Sequence, residues 1–205
     1  TEVEPAGMGL ALKRFLAGSQ EVEERMLLRV TVHTRRPLDD GAVPADSTSR
    51  RPRGDPSTYL ALNEAVLEKT PMGHTVRLGV SIDGEMFTPY AADGLIVATP
   101  TGSTAYAFSA RGPIVEPTHR CLLMTPVSPH MLFDRSLVLA PEARLRIEVV
   151  GDRPATLSVD GHNLGTLERG DAVTMTAAAE SARFVAFGPR NFLRILKSKF
   201  GLADR

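Results

Sequence analysis

The chain carries one cysteine, Cys121, among its 205 residues. That excludes an internal disulfide framework and a cysteine-based zinc cluster. A chain without disulfides suits a reducing compartment, and the cytoplasm is the expected location. An excess of charge is also missing, since 24 Lys and Arg face 24 Asp and Glu. General binders of nucleic acid or membrane surfaces carry a basic excess, so neither is an expected partner. No apolar run approaches the roughly 20 residues of a membrane span. The opening TEVEPAGMGL lacks the basic flank and apolar core of a signal peptide. The five histidines show no H-x-x-x-H or H-E-x-x-H spacing, so no protein metal site is expected. What remains is an ordinary globular composition with chain enough for one ample domain.

The patterning is mostly β. MGLALKRFL, 8–16, has helical spacing and Gly18 is its expected stop. MLLRVTVH, 26–33, alternates as a strand. Residues 34–58 are rich in Pro, Gly, Asp, Arg and Ser and are read as a flexible insertion. YLALNEAVLE, 59–68, fits helix or strand equally by period. HTVRLGVSI and EMFTPYA flank Asp83-Gly84, a strong hairpin signal. RLRIEVV, ATLSV, NLGTLE, AVTMTAA and ARFVAF follow as short strands with turn residues between most of them. PRNFLRILKSKF, 189–200, is the clearest helix, with Pro189 in its first turn and Gly201 as its stop. The fold class expected is mostly β (α+β), an antiparallel β-sandwich-like domain with a C-terminal helix.

One stretch concentrates unusual chemistry. In DGLIVATPTGSTAYAFSA, 93–110, an unalternating apolar strand leaves Asp93-Gly94 and breaks at Pro100 and Gly102. LIVA is expected to be buried on both faces. Ser103 or Thr104 is the expected cap of a helix opening at TAYAFSA. A buried strand running into a helix amino terminus suits a polar or anionic ligand. Asp93 could accept both hydroxyls of a ribose, and Tyr106 could stack on a base. It is neither a P-loop nor a nucleophile elbow, since both spacings are missing. Ser109, His130 and Asp134 carry no local signature of a hydrolytic triad. Cys121, in CLLM, is expected to be a buried thiol.

DGLIVATPTGSTAY closely resembles the signature of the NAD kinase family. The likeness continues in Leu62-Asn63-Glu64, GPIV at 112–115, TPVSPH at 125–130, RSLVL at 135–139 and SVDG at 158–161. The resemblance implies the carboxy-terminal domain of the NAD kinase/diacylglycerol kinase-like fold. It implies phosphorylation of the 2′-hydroxyl of the adenosine ribose of NAD, giving NADP. The donor would be ATP with a divalent metal (Mg or Mn), or inorganic polyphosphate in some members. By the same likeness Asn63 and Glu64 would hold NAD, and Asp93 its ribose hydroxyls. Thr104, Ala105, Tyr106 and Ser109 would surround its adenine and nicotinamide ends. His74 and His162 stand where further cofactor contacts are expected. A homodimer or tetramer is the expected assembly.

The sequence also departs from the family. No Gly-Gly-Asp-Gly occurs in the chain, whereas members carry that motif, with its catalytic aspartate, in an amino-terminal α/β domain. Thr1 rather than Met opens the chain, and TEVEP resembles the segment after that domain. A piece of a longer enzyme is therefore expected, with 1–25 a remnant and connecting helix, 26–188 the NAD-binding domain and 189–205 the C-terminal helix and tail. The alternative is a non-catalytic NAD-binding or oligomerisation module; a lipid-kinase-like protein of the same fold is a third. Arg111 replaces the first glycine of a Gly-Gly-Pro run, and Ala91 stands where many members have arginine.

Overall fold

The computed structural model describes residues 3, 5–34, 57–70, 74–187 and 191–202. Most of the expected insertion at 34–58, and Pro189 of the expected C-terminal helix, lie outside these residues. The chain begins with α1 (Met8–Leu16), β1 (Glu21–His33), β2 (Ser57–Ala61) and β3 (Glu64–Lys69). β4 (Val76–Ile82), β5 (Glu85–Ala92), β6 (Gly94–Ala98), α2 (Tyr106–Ser109) and β7 (Leu122–Val127) follow. The remainder is β8 (Leu137–Leu139), β9 (Leu145–Val149), β10 (Ala155–Val159), β11 (His162–Leu167), β12 (Ala172–Ala186) and α3 (Phe192–Phe200). Two compact units result, 1–25 with 182–205, and 26–181.

In the first unit both helices end as their sequences direct. Gly18 follows α1 at φ 70° and Gly201 follows α3 at φ 62°, conformations that glycine adopts without a Cβ penalty. Asn191 caps α3, its side chain accepting from the Arg194 N–H at 2.9 Å. Lys197 and Lys199 occupy the last turn, where the helix dipole favours cations. The Arg14 guanidinium donates to the Phe187 carbonyl at 2.8 Å.

The second unit is built on two antiparallel sheets, ordered β2-β1-β12-β9-β4-β5 and β11-β10-β3-β6-β7-β8. Their inner faces meet in one core, where Leu28, Val30, Leu78, Val80 and Ile147 face Leu67, Leu95, Val97, Met124 and Leu157. The ambiguous run at 59–68 resolves as two strands, β2 and β3, in different sheets. The residues between them, Leu62 and Asn63, form the corner where the chain changes sheet. Asp83-Gly84 makes the hairpin between β4 and β5, both residues at positive φ. AVTMTAA and ARFVAF, expected as separate strands, form the single strand β12. Nothing at Ala179-Glu180-Ser181 forces a turn, and Glu180 is held by Arg29 of β1 at 2.5 Å. Pairing overrides the weak strand propensity of these residues.

β6 is buried on both faces, as LIVA suggests. Leu95 and Val97 enter the inter-sheet core. Ile96 and Ala98 point the other way, into a second cluster with Ala107 of α2, Cys121 and Leu123. α2 thus covers one part of the outer face of the second sheet. The thiol of Cys121 is buried there, and burial raises its pKa.

The turn between β6 and α2 differs from the expected capped helix. Thr101–Thr104 form a 3-10 turn, and α2 has only four residues and no side-chain cap. The Ser103 hydroxyl instead exchanges hydrogen bonds with the backbone of Val115, at 3.0 and 3.2 Å. Thr99 takes the capping part, its hydroxyl accepting from the Gly102 N–H at 3.1 Å and donating to the Leu62 carbonyl at 2.5 Å. Helix-dipole support for a ligand is correspondingly small, because a four-residue helix has little dipole to offer. α2 ends in a Schellman motif, with Gly112 N–H on Ala107 and Arg111 N–H on Phe108. Arg111 occupies its left-handed position at φ 65°. The glycine-to-arginine departure in the sequence therefore falls where the backbone favours glycine.

Two glycine sites give opposite expectations. A Cβ on Gly102 would lie 2.1 Å from the Asn63 carbonyl oxygen. Gly102→Ala should lower unfolding free energy by about 3 kcal/mol or more. Arg111→Gly should raise it by about 1 kcal/mol through relief of left-handed strain. Denaturant unfolding of the three chains checks both signs.

Candidate functional site

The part of the outer sheet face that α2 leaves open forms a cavity of about 760 Å³, within the usual range for small-molecule sites. The two-residue period of strands explains its floor. From β3 come Glu64, Val66 and Glu68, and from β10 come Thr156 and Ser158. Ser158 pairs with Val66 and Thr156 with Glu68. Asn163 of β11 and Val127 of β7 border them. Asp93, in the bend before β6, and Tyr106, at the start of α2, complete the wall. Tyr106 also lines a neighbouring cavity of about 610 Å³ with Ser109, Arg111 and Arg135.

The electrostatics of the first cavity are acidic. Glu64 is only 7 % exposed, and its Oε2 has no hydrogen-bond partner. Burial, and then the negative charge of Asp160, push its pKa from 4.5 to about 6; the Tyr106 backbone N–H donating to it opposes this. The Tyr106 phenol is raised by burial and by the charges of Glu68 and Asp93. Lys69 is the cation of this wall, its ammonium 3.0 Å from Asp93 Oδ1. A carboxylate with an unused oxygen, a second carboxylate and a phenol can together accept and donate hydrogen bonds to a polar ligand. The lysine adds one contact for an anionic group.

The corner that carries Asn63 and Glu64 is held from two sides. Asp160 accepts the N–H groups of Leu62, Asn63 and Glu64 at 2.7, 2.8 and 3.1 Å. The Thr99 N–H donates to the Asn63 carbonyl at 2.8 Å. Asn63 thereby spends both backbone groups on the corner. Thr104 and Ala105 are half-buried in the turn before α2.

Of the sequence-expected residues, Glu64, Asp93 and Tyr106 come together in the first cavity, and Ser109 joins Tyr106 in the second. Asn63, Thr104, Ala105, His74 and His162 are not among the described residues that line either cavity. His74 is exposed just before β4. His162 is exposed too, its Nδ1 3.3 Å from the Asp160 carbonyl. Glu68, Lys69, Thr156, Ser158 and Asp160 are the residues that sequence reading missed. A strand assignment for 64–69 would have exposed the first, since Glu64, Val66 and Glu68 alternate onto one face. Among the described residues no cluster of His, Cys, Asp and Glu large enough to hold a metal occurs. No helix among them is long and apolar enough to cross a membrane.

Comparison with known proteins agrees with this layout. Residues 62–187 match the ATP-NAD kinase C-terminal domain. NAD kinase 1 of Streptomyces avermitilis is 37% identical over 222 residues, covering 100% of this chain and 62% of that protein. The NAD kinase of Symbiobacterium thermophilum is 42% identical over 189 residues, covering 92% of this chain and 61% of that protein. The chain thus spans less than two thirds of the length of these relatives. Among solved structures, yeast NADH kinase complexed with NADH superimposes with a TM-score of 0.84 at 27% identity, covering 98% of this chain and 54% of that one. Signature, sheet topology and sequence similarity converge, and the chain belongs to the NAD kinase family, its residues 62–187 matching the ATP-NAD kinase C-terminal domain.

Proposed function

We propose that the chain is the NAD-binding portion of an NAD kinase, which phosphorylates the 2′-hydroxyl of the adenosine ribose of NAD to give NADP with ATP as donor. The observation that carries this reading is the convergence of Glu64, Asp93 and Tyr106, from three separate elements, on one cavity of nucleotide size. Asp93 would accept ribose hydroxyls, the Tyr106 ring would stack on a base, and Glu64 would accept a hydrogen bond from the dinucleotide. Lys69 would exchange Asp93 for a phosphate oxygen as the ligand enters. Polyphosphate is the alternative donor, and a divalent metal would arrive with the donor phosphates. Phosphoryl transfer rests on positioning and charge stabilisation of the transferred group. No Gly-Gly-Asp-Gly occurs in this sequence, so the chain by itself should bind NAD and make little NADP. A cytoplasmic homo-oligomer completes the reading.

Calorimetric titration with NAD tests it. The chain should bind NAD, and Asp93→Asn should weaken binding about tenfold, some 1.4 kcal/mol. Equal isotherms for the two chains would contradict the assignment of Asp93.

Glu64 gives a pH-dependent expectation. Between 4.5 and about 6 the folded chain holds the Glu64 proton more tightly than the unfolded chain. Folding stability therefore falls as pH rises through that window, and the loss is complete above it. Glu64→Gln should raise stability by about 2 kcal/mol at pH 8 and bring almost no gain at pH 4. The same variant should bind NAD more weakly at pH 8. Unfolding curves at both pH values and one titration check the opposite signs.

A further inference from the structure

Asp160 lies outside the cavity lining, yet more of the site's backbone depends on it than on any lining residue. It opens the tight turn between β10 and β11, with φ 47° at Asp160 and 78° at Gly161. Its carboxylate takes three consecutive backbone N–H groups, those of Leu62, Asn63 and Glu64. Its own N–H donates to the Glu64 carbonyl at 2.9 Å. Charge-assisted bonds of this kind are roughly twice as strong as neutral ones. They clamp the point where the chain passes from the first sheet to the second, one residue before the Glu64 side chain enters the cavity.

We propose that Asp160 is a positioning residue of the nucleotide site: it holds the Leu62–Glu64 corner so that the Glu64 carboxyl meets the ligand. This rests on the nucleotide-binding reading above. The Asp160 carboxylate also lies 3.1 Å from the Glu64 N–H, and its charge, after burial, helps raise the pKa of Glu64. Other charged or titratable groups around the site are Glu68 and Lys69 on β3, Asp93 in the bend before β6, and Tyr106 on α2. His162 adjoins Asp160 on the β10–β11 hairpin.

Two variants keep the turn and change the carboxylate. Asp160→Asn retains one acceptor oxygen, removes the charge and sets an amide against the Leu62 N–H. Asp160→Gly tolerates the left-handed φ and removes every acceptor. Both are compared with the otherwise unchanged parent chain. The Glu64 carboxyl is followed by ¹³C NMR without nucleotide, and NAD affinity by calorimetry. In the folded variants the Glu64 midpoint should fall below about 6, while burial, the larger cause, keeps it above 4.5. NAD affinity at pH 8 should drop about tenfold in Asp160→Asn and further in Asp160→Gly. An unmoved Glu64 midpoint, or an affinity equal to that of the parent chain, would overturn the role of Asp160. A parent chain that does not bind NAD would instead strike the nucleotide-binding reading, and the midpoint would still decide the charge effect.

Discussion

The backbone demand at one corner organises this domain. Where the chain leaves β2 and enters β3, it changes sheets, and the N–H and carbonyl groups of Leu62 and Asn63 have no ladder to join. Buried polar backbone must find partners. Here Asp160 supplies acceptors from the β10–β11 turn, and Thr99 supplies a donor and a hydroxyl from the end of β6. The corner therefore ties three distant stretches of chain together. Gly102 belongs to the same arrangement, because only a residue without a Cβ lets the turn after β6 lie against the Asn63 carbonyl. The family signature is, physically, one side of this clamp.

The site follows from what the second sheet leaves uncovered. Its inner face is committed to the core, and α2 with the segment around Val115 covers part of its outer face. The rest is lined by the alternate residues of β3 and β10, which are polar where a fully covered sheet would carry aliphatics. Glu64 is the clearest case. A carboxyl that is 7 % exposed and lacks a partner on one oxygen costs stability in the free protein. That cost is repaid only when something donates to it, which is how binding sites commonly trade stability against recognition.

Much of this was legible from local pattern. The Asp83-Gly84 hairpin, the two glycine-stopped helices and the doubly buried β6 all rest on short-range rules, and all appear. The errors have a common cause in long-range partners. Ser103 looked like a helix cap because a hydroxyl stood before a helical stretch, but Val115 claims it. β12 looked like two strands because its middle is Ala, Glu and Ser, but its place in the sheet between β1 and β9 carries the strand through. YLALNEAVLE could not be assigned by period, and that hid the cavity floor. Asp160 stood out only as part of SVDG, and its three acceptor contacts are with residues almost a hundred positions away. Glu64, Asp93 and Tyr106 were expected from the likeness to the family, and the fold brings all three to one cavity.

The most direct test of the account is a backbone amide NMR titration of this chain with NAD. The account predicts shifts concentrated at Glu64, Val66, Asp93, Tyr106 and Ser158, with the Asp83-Gly84 hairpin of the other sheet unchanged. Shifts centred on that hairpin, or a spectrum unmoved by millimolar NAD, would contradict it.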